Sequence, residues 1–164
     1  MEENKNQEID NSKLEQAIAE MREHYSNETQ NNVINTALRS TFLVPGIVEK
    51  TEELVADENN HVTFNQDPKV RFILINDKEQ HSYFPVFTST EELVKLKTKE
   101  TYTAFSMTFA DIAGLTESAQ QVTGFVVNPF NQNLPFTQEM LASIKQTLIN
   151  AVNKRKADDE NKNN

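Results

Sequence analysis

Three histidines are the first places where this chain could hold a metal ion or move a proton near neutral pH. His24 falls near a helix end, His61 in a polar loop and His81 beside a hairpin turn. None belongs to an HExxH or HxH arrangement, and no acidic cluster has the spacing of an EF-hand, so no metal site is expected. The chain has no cysteine, which removes thiolate nucleophiles, thiolate metal sites and disulfides together. A hydroxyl nucleophile would need a base beside it, yet there is no GxSxG. His81 and Ser82 are adjacent, but neighbours on a strand point to opposite faces. Only three glycines are present, no two of them close, so the phosphate loops of nucleotide sites are missing and no cofactor is expected. The carboxylate pairs Glu52-Glu53 and Glu91-Glu92 read as solvated helix starts.

Two motifs remain, Tyr83-Phe84-Pro85-Val86-Phe87-Thr88-Ser89 and Gly124-Phe125-Val126-Val127-Asn128-Pro129-Phe130. Each ends a strong strand in a sharply shaped junction. As structure, the aromatics fill a core, the prolines shape strand ends, Gly124 permits close packing and Thr88 or Ser89 caps a helix. As function, the amides near Ser89 to Glu91 could face an anion, although Glu91 and Glu92 already place negative charge there. The candidate ligand or interaction residues are therefore His81, Pro85, Thr88, Ser89, Glu92 and Asn128, with no catalytic residue among them.

These junctions must be held by a scaffold, and its elements follow from periodicity and caps. Ser12-Lys13-Leu14-Glu15 has the form of a capping box, opening a helix with Leu14, Ala17, Ile18, Met21 and Tyr25 at helical spacing. After a polar break at Ser26 to Asn32, Val33, Ile34, Ala37 and Leu38 form a second periodic set. Thr41 to Val44 reads as a strand ended by Pro45-Gly46. Val62 to Phe64 is a short strand, and Val70 to Ile75 with His81 to Phe87 makes a hairpin. Pro85 cannot donate a ladder hydrogen bond, which points to an edge or a bulge. Ser89-Thr90-Glu91-Glu92 starts a short helix with Leu93, Val94 and Leu96 inward. Tyr102 to Met107 is a strand, Phe109 to Leu115 a helix closing near Gly114, and Val122 to Asn128 a strand. Its end is extended, because the residue before proline is pushed to extended geometry. Thr137 caps a final amphipathic helix whose stripe is Leu141, Ile144, Leu148, Ala151 and Val152. If that stripe is core, Leu148→Ala costs roughly 2–5 kcal/mol.

Helices and strands at irregular spacing, with a hairpin, give an α+β fold: a mixed, largely antiparallel sheet with helices packed on it. The 164 residues suit one domain, expected over residues 12–152, between a disordered tail at 1–11 and a charged, disordered one at 153–164. Net charge is −9, and the one basic cluster, Lys154-Arg155-Lys156, reads as cationic charge at a helix end. Phosphate backbones and anionic lipid are repelled by such a surface, so neither nucleic acid nor membrane is an expected partner. No apolar run is long enough to span a bilayer, and residues 1–10 lack a signal peptide's basic and apolar regions, which makes the cytoplasm the default.

The order FPVFTS, a short EEL helix, a strand into VVNPF and a final amphipathic helix resembles the SseB-type amino-terminal domain family. The resemblance covers roughly Val33 to Val152, concentrated in Phe84 to Leu93 and Gly124 to Phe130. It implies a compact mixed α/β domain, often followed in longer proteins by a carboxy-terminal domain that is not read in these residues. It implies no catalytic residue. By elimination, the expected function is a non-enzymatic interaction module that binds a protein or peptide at an exposed sheet edge or an apolar groove between helix and sheet. A secretion-chaperone-like adaptor, usually a homodimer, is its specific version. The alternative is a small-ligand binder or enzyme with a site assembled at the strand-to-helix junctions.

Overall fold

The computed structural model describes residues 9–49, 54–56, 62–64 and 69–162, with His61, Glu52-Glu53 and residues 1–8 of the expected amino-terminal tail outside them. Two helices come first, α1 (Ser12–Glu23) and α2 (Asn27–Leu38). Leu14, Ala17 and Ile18 of α1 are buried with Val33 and Ala37 of α2, as their spacing requires. The break between the helices is shorter than the sequence suggests. Ser26 caps α2 by accepting from the Thr29 amide while Thr29 answers the Ser26 amide, so Asn27 to Asn32 are already helical.

Strand β1 (Thr41–Glu49) runs through Pro45-Gly46 instead of ending there. Ala104 lies opposite Pro45, whose carbonyl accepts from the Ile73 amide at 3.1 Å. At Gly46 a Cβ would lie 2.8 Å from Val70 and 2.9 Å from Phe105, so the missing side chain lets both neighbouring strands close over β1. Then come β2 (Leu54–Ala56), β3 (Val62–Phe64), β4 (Lys69–Phe72), β5 (Ile75–Asn76) and β6 (Ser82–Val86). The expected hairpin from Val70 is real but divided, since β4 pairs with β1 and only β5 pairs with β6. Both the β1–β4 and β2–β3 ladders pair residues equidistant in sequence from Asn59, so the two ladders share one register.

The remaining elements are α3 (Thr90–Leu93), β7 (Thr103–Thr108), α4 (Phe109–Ser118), β8 (Gly124–Val127), β9 (Leu134–Thr137) and α5 (Gln138–Lys162). Gly114 lies inside α4, which closes four residues later than expected. One sheet has the order β4-β1-β7 and another β5-β6-β8-β9, in which β6 and β8 are parallel and every other pairing is antiparallel. A bridge between Leu43 and Phe87, with hydrogen bonds of 2.8 and 2.9 Å, ties the two sheets. This is an α+β fold of mixed, largely antiparallel sheet.

Strand alternation divides the core between two faces. Phe42, Val44, Phe84 and Val86 join the main cluster with α1, α2 and α4, while Phe87 joins Ile73, Leu93 and Leu96 on the other side. Phe109, Phe125 and Phe136 meet at centroid distances of 5.1 to 5.5 Å, two pairs edge-on and one stacked. Val94 is exposed, so α3 turns only Leu93 and the following Leu96 inward.

Helix α5 departs most from expectation. Thr137 does accept from the Met140 amide, and Leu141 is buried, but Leu148 and Val152 are half-exposed. The stripe is periodic beyond the point where the body can cover it. Contrary to the expectation of a disordered tail from Asn153, the backbone stays helical to Lys162. No Gly or Pro interrupts Gln138–Lys162, and its Lys, Arg, Ala and Glu residues are good helix formers. Among the described residues no helix is long and apolar enough to cross a membrane.

Candidate functional site

The two sequence motifs meet where the parallel strands β6 and β8 end side by side, and this brings Thr88, Ser89, Glu92 and Asn128 together. Thr88 is fully buried and Asn128 is 1% exposed, so each polar group needs a partner. The Asn128 Oδ1 accepts from the Thr88 amide at 3.0 Å, and its Nδ2 donates to the Thr88 Oγ1 at 2.9 Å. That hydroxyl donates in turn to the Glu15 Oε1 at 2.6 Å. Gln132 closes the ring by donating to the Glu15 carbonyl at 3.1 Å.

Asn128 is not extended as its place before Pro129 predicts. Its φ of 49° is left-handed, a region that asparagine tolerates better than most side chains. Local hydrogen bonds hold it there. The Asn128 amide donates to the Val86 carbonyl at 2.9 Å, and its own carbonyl accepts from the amides of Asn131 and Asn133.

Asn11, assigned by its polar surroundings to the tail, is buried at 7% exposure. Its Nδ2 donates to the carbonyls of Thr41 at 2.8 Å and Thr88 at 2.9 Å, fastening the start of α1 to β1 and the junction. The capping box read at Ser12 does not form, because Asn11 is the cap position, Ser12 bonds Asp10 and Glu15 is turned to Thr88. At the second site half the box is present. Ser89 accepts from the Glu92 amide at 3.2 Å, while the Glu92 Oε1 accepts from Lys95 at 2.9 Å and Asn131 at 3.0 Å.

Two candidates fall away from this constellation. His81 is exposed in the β5–β6 turn, its Nδ1 3.1 Å from the Asp77 Oδ2. The His81 amide holds the Asp77 carboxyl below its usual value against partial desolvation, helped by the imidazole and the Glu79 amide. Pro85 is buried and lies on no exposed edge. Ser82 and Val86 accept from Thr123 and Asn128 on the β8 side, so Pro85 faces the opposite side. There β5 has ended at Ile75 opposite Tyr83, and the bridge to Leu43 begins only at Phe87. Its missing N–H costs no ladder bond.

Chemically, the junction is closed except at the Glu92 Oε2, which is buried without a hydrogen-bond partner. The Thr88 hydroxyl has given its proton to a hydrogen bond and is buried, so it is fixed as a latch between α1 and the strand ends. Beside it lies an open cleft of 980 Å³ bounded by Asn11, Glu15, Ser89 and Glu91.

A second feature was not singled out by sequence. Helices α4 and α5 diverge around an apolar groove of 790 Å³ floored by Leu38, Phe109 and Leu141. On the α5 wall Leu148, Ile149 and Val152 are 47%, 44% and 50% exposed. Across from them Gly114 has open space where a side chain would be. Lys145 and Glu117 pair over the rim at 3.3 Å. The sequence carried a signal for this groove: a stripe continuing to Val152 in a helix whose partner, α4, is only ten residues long.

The model of the SseB protein N-terminal domain matches residues 14–143. Comparison with the curated proteins and with the solved structures gives no match.

Proposed function

We propose that this chain, which belongs to the SseB protein N-terminal domain family, is an interaction module that binds another protein through the groove between α4 and α5. The supporting observation is the half-exposure of three large apolar side chains along one wall of that groove. Contiguous exposed apolar surface with a polar rim is the mark of a docking site more than of a solvated helix. Pro85, the expected edge, is buried. The narrower role of a secretion-chaperone-like adaptor adds a homodimer, and light scattering showing a strict monomer counts against it.

The direct test places a photo-crosslinking residue at Ile149 and, as control, at the exposed Glu91. A protein crosslinked from position 149 and lost in the L148D/V152D variant supports the reading. Identical products from both positions would sink it. A second reading, binding of a small ligand, is favoured by the cleft beside Glu15 and Ser89. It predicts that a compound from a metabolite screen protects the Ser89 and Thr90 amides from hydrogen exchange.

A further inference from the structure

The chemistry of the α4–α5 groove restricts what can lie in it. Both walls are helices, whose backbone hydrogen bonds are internal, so neither offers a ladder to an extended chain. Most of the polar side chains around it are engaged as well. Gln138 donates to the carbonyls of Thr116 and Val122, Gln146 to Asn150, and Lys145 to Glu117. A strand laid there would bury amides and carbonyls without partners, at a cost of about 1–3 kcal/mol for each. An α-helix satisfies its own backbone and presents only side chains, as in other helix-in-groove complexes.

Charge restricts the occupant further. The open stretch of the α5 wall, from Ile144 to Val152, is about 12 Å long at 1.5 Å per residue, room for two turns or slightly more. Arg155 and Lys156 stand three and four residues beyond Val152, on the same side of the helix, with Lys154 beside them. No ion pair involves these three among the described residues, and all three are exposed. The acidic turn Asp158 to Glu160 follows within one further turn, so the occupant's acids must end over Arg155 and Lys156 and go no farther.

Resting on the interaction reading above, we propose that the groove receives an amphipathic α-helix of a partner protein, apolar along two turns and carrying Asp or Glu at the end that lies over Arg155 and Lys156.

The test is selection from a display library of random 16-residue peptides against the full chain, with the L148D/V152D chain as counter-selection. Circular dichroism of that variant confirms that substitution at half-exposed positions leaves it folded. The expected winners are amphipathic, become helical when bound, and place acids one turn beyond their apolar positions. They bind the L148D/V152D chain at least tenfold more weakly than wild type. Against K154E/R155E/K156E they weaken at least fivefold at low salt, a difference that shrinks as salt screens the charges. Winners that contain proline or bind extended, that are basic, or that bind the charge-reversed chain equally well overturn the partner assignment while leaving the groove as a docking site. A selection in which no peptide distinguishes wild type from L148D/V152D overturns the docking site itself. Self-association, or binding to anionic phospholipid vesicles, that is abolished by L148D/V152D overturns the helical partner in favour of a second copy or a lipid surface.

Discussion

The junction at the ends of β6 and β8 and the groove between α4 and α5 reverse the usual placement of residues in opposite ways. At the junction the chain buries polar groups, Thr88 and Asn128, and links them to each other, to Glu15 and to Gln132. At the groove it leaves apolar groups, Leu148, Ile149 and Val152, in water. Apart from the unpartnered Glu92 Oε2, the first arrangement is complete within the chain. The second is not, and under the interaction reading a partner completes it. Unusual residue placement is therefore not itself a sign of function: what separates the two regions is whether the partners are already present. The two sequence motifs fall on the closed region, where they shape strand ends and the helix cap.

If the junction is closed by fit, the largest effect comes from Gly124. A Cβ there would overlap the Phe136 carbonyl, which is backbone and cannot turn aside, so Gly124→Ala should cost about 3 kcal/mol or more. A denaturation midpoint near wild type would break this side of the comparison. Asn128→Ala should cost about 3 kcal/mol, because it strands the buried Thr88 amide. In a double-mutant cycle with Thr88→Val the two losses should fall short of additive, since they share a bond.

The groove side predicts a contrast along one helix. Leu141→Ala, at the buried end of α5, should cost about 2–5 kcal/mol, whereas Leu148→Ala should cost under about 1 kcal/mol. Equal losses would mean that the groove is covered in solution. Gly114→Ala should stabilise by about 0.5–1 kcal/mol, since the position is helical and open. Thermal melts read this directly. The smallest effect belongs to neither region and serves as a baseline. Because Asp77 titrates below its ordinary 3.8, its contribution is fully present above that pH and is lost as pH falls through the lowered value. Acid unfolding of Asp77→Asn should therefore converge with wild type at low pH and differ above it.

Most of the scaffold could be read from the sequence because helix periodicity, strand runs and the Thr137 cap are local signals. Thr88, Ser89, Glu92 and Asn128 could be read as junction residues for the same reason. Glu15 could not, because a pattern that suits a capping box equally suits a carboxylate turned toward Thr88, and only the tertiary fold chooses between them. Asn11 looked like tail because its partners, the carbonyls of Thr41 and Thr88, are distant in sequence. Leu148 looked like core because periodicity reports which side of a helix is apolar and is silent on how far the neighbouring helix extends. Pro85 looked like an edge because a missing donor signals an absent neighbour, and here that absence is a gap between β5 and β1 inside the body.

The shared register of β1–β4 and β2–β3 bears on how this part of the molecule tolerates changes in length. Since partners in both ladders are equidistant from Asn59, removing or adding residues in matched pairs, one on each strand, leaves the two ladders in the same shared register. An unmatched change of one residue on one strand would move that strand's alternate positions to the opposite face. Length variation among relatives is thus expected here in even totals, shared between the two strands, with Gly46 and Phe72 keeping their pairing at the base.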